Sequence, residues 1–107
     1  MRITIKIIAI PILLLCLHAC TWVAPTEKGA DVVVSDGSGV SNCERKGEVL
    51  SKLKSRVGAF ERNATKVASE LETLARNEAA LMGGDTVVAE STVRDGEQTF
   101  GVYRCRP

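Results

Sequence analysis

The chain has 107 residues, of which 25% are charged and 45% are hydrophobic, and its formal net charge is +1. This length allows one domain. The balance of 14 basic against 13 acidic side chains excludes the strongly basic composition typical of nucleic-acid-binding domains.

The first 19 residues have the layout of a secretory signal peptide. Arg2 and Lys6 supply positive charge, and an uncharged apolar run follows from Ile7 to Leu17. This run is shorter than the roughly 20 residues that a transmembrane helix needs, and Pro11 lies inside it. We therefore expect residues 1–19 to be cleaved rather than to span a membrane.

The residues at the end of this leader resemble the lipobox of bacterial lipoproteins. Ala19 is small and precedes Cys20, and Leu17 stands three residues before the cysteine. The resemblance implies that Cys20 is acylated and becomes the mature N-terminus, and the three acyl chains usual for such lipoproteins would anchor the protein stably. The alternative is a conventional signal peptide, after which Cys20 remains a free or disulfide-bonded thiol.

The residues after Cys20 indicate which membrane would hold the anchor and how long the tether to the domain is. In enteric lipoproteins aspartate after the acylated cysteine favours the inner membrane, so Thr21 favours the outer membrane by resemblance. The ring of Trp22 would suit the lipid headgroups, and packing against the domain is the alternative. We expect residues 20–28 to form a lipidated tether and residues 29–107 to form the domain.

The four cysteines separate by position. Cys16 lies in the leader and Cys20 in the lipobox, which leaves Cys43 and Cys105. Two thiols in an oxidising compartment predict one disulfide, and the absence of a Cys-x-x-Cys motif favours a structural bridge over a redox-active one. In the chain-entropy model a bridge that closes about 60 residues contributes roughly 4 kcal/mol of stability.

Four segments have the composition of β-strands. Ala30–Ser35 is rich in β-branched residues, and Lys46–Ala59 alternates between small or apolar residues and charged ones. Asp85–Val93 and Gln98–Cys105 flank Arg94–Glu97, an Asp-Gly turn of the kind that joins hairpins.

One face of the second predicted strand is basic. Lys52, Lys54 and Arg56 alternate with the residues of the other face. We treat them as a candidate partner face for anionic lipid or for an acidic protein, and a solvated surface is the alternative.

The segment from Glu61 to Met82 changes to a helical period, because its apolar residues recur at spacings of three and four. The stripe consists of Ala64, Val67, Ala68, Leu71, Leu74, Ala75, Ala79 and Met82. Polar residues, Glu70 among them, are expected on the opposite side, with Asn63 as the N-cap and Gly83–Gly84 as the stop. The order ββαββ predicts an α+β fold, in which one long helix covers one face of an antiparallel four-stranded sheet.

Several segments resemble the small bacterial lipoproteins of the DUF4156 family, a domain of unknown function. They are Cys20 followed by Trp22, Cys43 ahead of Gly47, Leu74–Ala80, Gly83–Val88 and Gly101–Cys105. The resemblance spans nearly the whole mature chain and implies the fold and an envelope location, with no known activity. A more distant similarity is to the stress-sensing outer-membrane lipoprotein of the Rcs phosphorelay. That sensor has a long proline-rich tether and two disulfides, whereas this chain has the short segment from Thr21 to Lys28 and cysteines for only one.

The mature chain contains no histidine, because His18 belongs to the leader. Ser-His and Cys-His catalysis is therefore excluded, and two cysteines do not make a four-ligand zinc site. We expect no catalysis, cofactor, metal, nucleic acid or small-molecule substrate. The predicted function is a membrane-anchored interaction or structural module that binds an envelope protein or the cell-wall face of the membrane. A stress-signalling lipoprotein and an enzyme or small-ligand carrier are the alternatives.

Overall fold

The computed structural model describes residues 23–53 and 63–107. Its regular elements are the strands β1 (Val33–Ser35), β2 (Glu44–Lys52), β3 (Thr86–Ala89) and β4 (Glu97–Arg104) and the helix α1 (Ala64–Leu81). The predicted order ββαββ and the α+β class are confirmed.

The sheet has the strand order β1-β3-β4-β2, and β4 is antiparallel to both of its neighbours. β1, however, runs parallel to β3, with Val33 opposite Thr86, so the prediction of a purely antiparallel sheet is wrong. The chain leaves β1, forms β2 and α1, and only then returns as β3, and a connection of that length allows a parallel pair. Residue composition carries no information about strand direction.

β1 starts three residues later than the predicted strand, which began at Ala30. The hydroxyl of Thr26 accepts the amide of Gly29 at 2.9 Å, and the Thr26 carbonyl accepts the amide of Ala30 at 2.9 Å. The Asp31 amide then donates to the Lys28 carbonyl and the Val32 amide to the Gly29 carbonyl, both at 3.1 Å. These i→i+3 bonds wind Gly29–Asp31 into a turn of 3₁₀-helix, so the extended backbone begins only after it.

β3 also ends earlier than predicted, at Ala89 rather than Val93. Beyond it the Ser91 hydroxyl accepts the amide of Thr99 at 3.0 Å, where a continued ladder would use a backbone carbonyl. The predicted Asp-Gly turn is confirmed, because Asp95 and Gly96 have φ values of 54° and 73° and Arg94 bridges to Glu97.

β2 is kinked near its start. The register with β4 shifts between Arg45 and Gly47, which leaves Lys46 as the extra residue of a β-bulge. The strand ends at Lys52, and positions 54–59 of the longer strand predicted there lie outside the described residues.

Helix α1 begins and ends as its sequence predicts. The side chain of Asn63 accepts the amide of Lys66 at 2.8 Å, and Gly83 has the positive φ of 82° that ends the helix. Residues 61 and 62, which the prediction also assigned to the helix, lie outside the described residues.

The core lies between α1 and one face of the sheet. Its fully buried side chains are Leu71, Ala75 and Ala79 from the helix and Val87, Phe100 and Val102 from the sheet. Glu70 is only 4% exposed, so its predicted place on the polar side is wrong. Position 70 follows Val67 by three residues and adjoins Leu71, and this places it within the buried stripe.

Candidate interaction face of the sheet

Helix α1 covers one face of the sheet, and we call the other one the open face. Because side chains alternate along a strand, the neighbours of the buried Phe100 and Val102 point to the open face. Its side chains include Val33 from β1, Arg45, Glu48, Leu50 and Lys52 from β2, Thr99 and Tyr103 from β4, and Glu90 after β3.

Arg45 lies on the end strand β2, and its guanidinium reaches across Gly101 of β4 to Glu90, the residue that follows β3. Its Nη1 donates to Glu90 Oε2 and to the Tyr103 hydroxyl, at 2.8 Å each. Its Nη2 reaches Glu48 Oε1 at 3.3 Å, and the guanidinium carbon lies 5.4 Å from the centroid of the Tyr103 ring. We call Arg45, Glu90 and Tyr103 the Arg45 cluster.

The hydrogen bonds of the Arg45 cluster favour the charged guanidinium. The hydrogen bond to Glu90, followed by the one to Tyr103, raises the pKa of Arg45 above its ordinary value. The Arg45 side chain remains 42% exposed and that of Glu90 30% exposed. The cluster therefore offers a partner a fixed guanidinium, a carboxylate and a phenol, all of which remain accessible to hydrogen bonding.

Gly101 makes room for this cluster. A Cβ at position 101 would lie 2.7 Å from Arg45 Nη1 and would also collide with the Glu90 carboxylate. Only glycine lets the two side chains cross the middle of β4 in contact with the backbone.

The predicted pair of cysteines is brought together at the C-terminal end of β4. The Sγ atoms of Cys43 and Cys105 lie 2.07 Å apart, which is disulfide-bonding distance, and 62 positions separate them in sequence. The pair links the start of β2 to the last residues of the chain.

Asp85 holds the same end of the chain. Its two carboxylate oxygens accept the amides of Cys105 and Arg106, each at 2.8 Å, and Oδ1 also accepts the Thr86 hydroxyl. Burial, the largest single effect, acts to raise the pKa of Asp85. The hydrogen bonds and the charge of Arg106 together outweigh it and lower the pKa from 3.8 to about 2.

The part of the predicted tether that the structure describes is held against the helix. Asn77 Oδ1 accepts the amide of Thr26 at 2.9 Å, and Asn77 Nδ2 donates to the Ala24 carbonyl at 3.1 Å. Arg76 donates to the Ala30 carbonyl at 3.0 Å. Residues 24–30 therefore lie along α1.

The structure describes only one of the three predicted partner-face residues. Lys52 is exposed on the open face and lies opposite Glu97 of β4. Lys54 and Arg56 lie outside the described residues, as do the lipidation candidate Cys20 and the interface candidate Trp22.

Sequence reasoning missed the Arg45 cluster. Its members come from three separate segments, and their meeting depends on the strand order, which periodicity does not reveal. One signal was present: Gly101 interrupts an otherwise β-branched and aromatic strand, and such a glycine often marks a close approach.

Two open depressions flank β2 at Leu50. One of about 290 Å³ lies on the open face beside Gln98 and Thr99, and one of about 380 Å³ lies beside Leu74 and Glu78 of the helix. Across residues 23–53 and 63–107, no group of three or more acidic, cysteine or histidine side chains is arranged to hold a metal ion. In the same part of the chain, no helix has the length and apolar character needed to cross a membrane.

The fold and its exposed, charged sheet face define a small α+β module. The sequence model of the DUF4156 family, a domain of unknown function, matches residues 23–105, so the chain belongs to this family. Neither a curated protein nor a solved structure matches it significantly.

Proposed function

We propose that this protein is a bacterial envelope lipoprotein, anchored through an acylated Cys20, whose domain binds another envelope protein through the open face and has no catalytic activity. The observation that carries the proposal is the Arg45 cluster on a sheet face that α1 leaves uncovered.

The composition of the open face suits protein binding. Tyrosine and arginine are enriched among the residues that dominate binding energy at interfaces. Here both are held by mutual contacts, so docking costs less side-chain entropy than it would for free side chains. Val33 and Leu50, 53% and 54% exposed, add apolar area toward the two edges of the sheet.

The docked segment supports a position close to the membrane. Asn77 holds Ala24, so three residues lie between the proposed anchor at Cys20 and the folded body, a distance of four residue steps. Fully extended, four residues span at most about 14 Å. A domain on such a short link stays beside the leaflet that holds its anchor, so its partners lie in or next to that membrane. Thr21 favours the outer membrane as the location of the anchor.

Site-specific photo-crosslinking in living cells tests the partner proposal. A photoreactive amino acid is placed at Thr99, on the open face, and, as the matched control, at Leu81, which is 82% exposed at the end of α1. We expect one dominant protein adduct from position 99 that is absent from position 81 and lost in Arg45→Ala. Equal adducts from both positions, or adducts to lipid alone, would reject the open face as the partner surface.

The distant similarity to the Rcs sensor supports envelope-stress signalling as the second candidate. Signalling predicts that deletion or overproduction of the full chain changes an envelope-stress reporter. Unchanged reporters under both conditions would reject it, whereas the crosslinking result would stand.

A further inference from the structure

The outer edge of β2 is the longest unpaired strand edge in the described parts of the chain. β2 is an end strand of the sheet, and within residues 23–53 and 63–107 its nine residues pair only with β4. Such an edge presents a row of backbone donors and acceptors to another strand.

The hydrogen bonds between β2 and β4 fix which backbone groups of β2 point outward. Leu53 donates its amide to the Gly96 carbonyl at 3.0 Å, so Leu53 and its alternate neighbours face β4. The N–H and C=O groups of Glu48, Leu50 and Lys52 consequently point to the free side. The bulge at Lys46 ends this regular stretch at its N-terminal side.

We propose that β2 pairs antiparallel with β2 of a second copy of this chain, around a two-fold axis at Leu50. In this register Leu50 lies opposite its own copy, and Glu48 lies opposite Lys52 on both sides of the axis. The three outward-pointing residues of each strand then exchange hydrogen bonds, and the open face gains a central apolar pair flanked by two ion pairs.

Charge complementarity favours this register over an axis at Glu48, which would place two glutamates opposite each other. With the axis at Leu50, Glu48 and Lys52, the two charged residues of the regular stretch, each face a residue of opposite sign. The depression of about 380 Å³ between β2 and Leu74 and Glu78 of α1 gives the second strand's side chains space on the helix side of the sheet.

The dimer would join two open faces into one larger surface, and this inference does not depend on the proposed function. A two-fold axis perpendicular to the sheet puts both helices on one side and both open faces on the other. The two N-terminal segments, each docked on its own α1, then lie on the same side of the merged sheet.

Cysteine crosslinking of the full chain in detergent tests the contact. Leu50→Cys places two thiols across the axis at a Cα separation of about 5.5 Å, within the range of a disulfide. Val33→Cys is the matched control, because Val33 is equally exposed on the open face but lies on β1. We expect the disulfide-linked dimer from L50C to exceed that from V33C by at least tenfold, and equal yields would overturn the proposal.

Charge exchange tests the register. Glu48→Lys and Lys52→Glu each place like charges opposite each other, and each should weaken dimerisation about tenfold in sedimentation of the full chain. The double exchange E48K/K52E restores opposite pairs between copies while the pairings of these residues with Arg45 and Glu97 within each copy stay disrupted. Recovery of the dimer in the double variant supports the register, and failure to recover overturns it. Either result is independent of the photo-crosslinking test of the open face.

Discussion

Asp85 accepts the backbone amide of Cys105 at 2.8 Å, so the residue that follows the glycines at the end of α1 holds the last residues of the chain in place. The second oxygen of Asp85 accepts the amide of Arg106 at the same distance. The disulfide pair and the carboxylate therefore secure the same end of β4, one covalently and one electrostatically.

Asp85→Asn tests how much the carboxylate of Asp85 contributes to holding the end of β4. Asparagine has one acceptor oxygen, so its NH₂ group would face one of the two amides. We expect the free energy of unfolding at pH 7 to fall by about 1 to 3 kcal/mol, measured by chemical denaturation of the full chain. The neighbouring Thr86→Val, which removes only the hydroxyl bond to Asp85, should have a smaller effect.

The same carboxylate predicts a pH dependence. Because folding lowers the pKa of Asp85 from 3.8 to about 2, its stabilisation is complete above about pH 5 and is lost progressively as the pH falls to about 1. The difference in stability between wild type and D85N should shrink over that interval. A difference that stays constant from pH 7 to pH 2 would contradict this role for the carboxylate.

The Cys43–Cys105 bridge should supply a large share of the stability of so small a domain. A separation of 62 residues corresponds to about 4 kcal/mol in the chain-entropy model. We expect C43S/C105S to unfold at a much lower denaturant concentration than wild type, and reduction of the wild type should reproduce the shift. A fall of less than about 1 kcal/mol in the free energy of unfolding would show that the bridge does not stabilise the fold by reducing the entropy of the unfolded chain.

Gly101→Ala should disrupt the Arg45 cluster, because its methyl group would occupy the space of the Arg45 and Glu90 side chains. Both obstructing groups are the far ends of flexible side chains that can swing away, so the loss of stability should stay below about 1 kcal/mol, with loss of any crosslink that depends on Arg45. Gly39→Ala is the control, since its nearest contact would be 3.4 Å away, at Ser35 Oγ. Equal effects of the two variants would argue against the close approach at Gly101.

Asn77→Ala should release the N-terminal segment from α1. Hydrogen exchange at Thr26 should accelerate, because the acceptor of its amide is removed, while the core strands keep their protection. Glu78→Ala, at the next and exposed position, should leave Thr26 unchanged. Unchanged exchange at Thr26 in N77A would mean that other contacts hold this segment.

The sequence predicts those features that depend on neighbours along the chain. The Asn63 cap, the Gly83 stop and the Asp95-Gly96 turn follow from local backbone chemistry, and the structure confirms each. The direction of β1 was predicted wrongly, because it depends on a crossover that leaves no local pattern in the sequence. The burial of Glu70 was also predicted wrongly, because it depends on the width of the helix stripe that the sheet covers. The Arg45 cluster also required the strand order, which brings β2, β4 and the end of β3 together.

The anchor is the claim on which the envelope assignment rests, and metabolic labelling of the full chain with an alkyne fatty acid tests it most directly. Cys20→Ala removes the proposed acylation site, and Cys16→Ala is the matched control, since Cys16 lies in the predicted leader. We predict labelling of the wild type and of C16A, no labelling of C20A, and recovery of the labelled protein in the membrane fraction. Labelling of C20A, or an unlabelled wild type, would contradict the account.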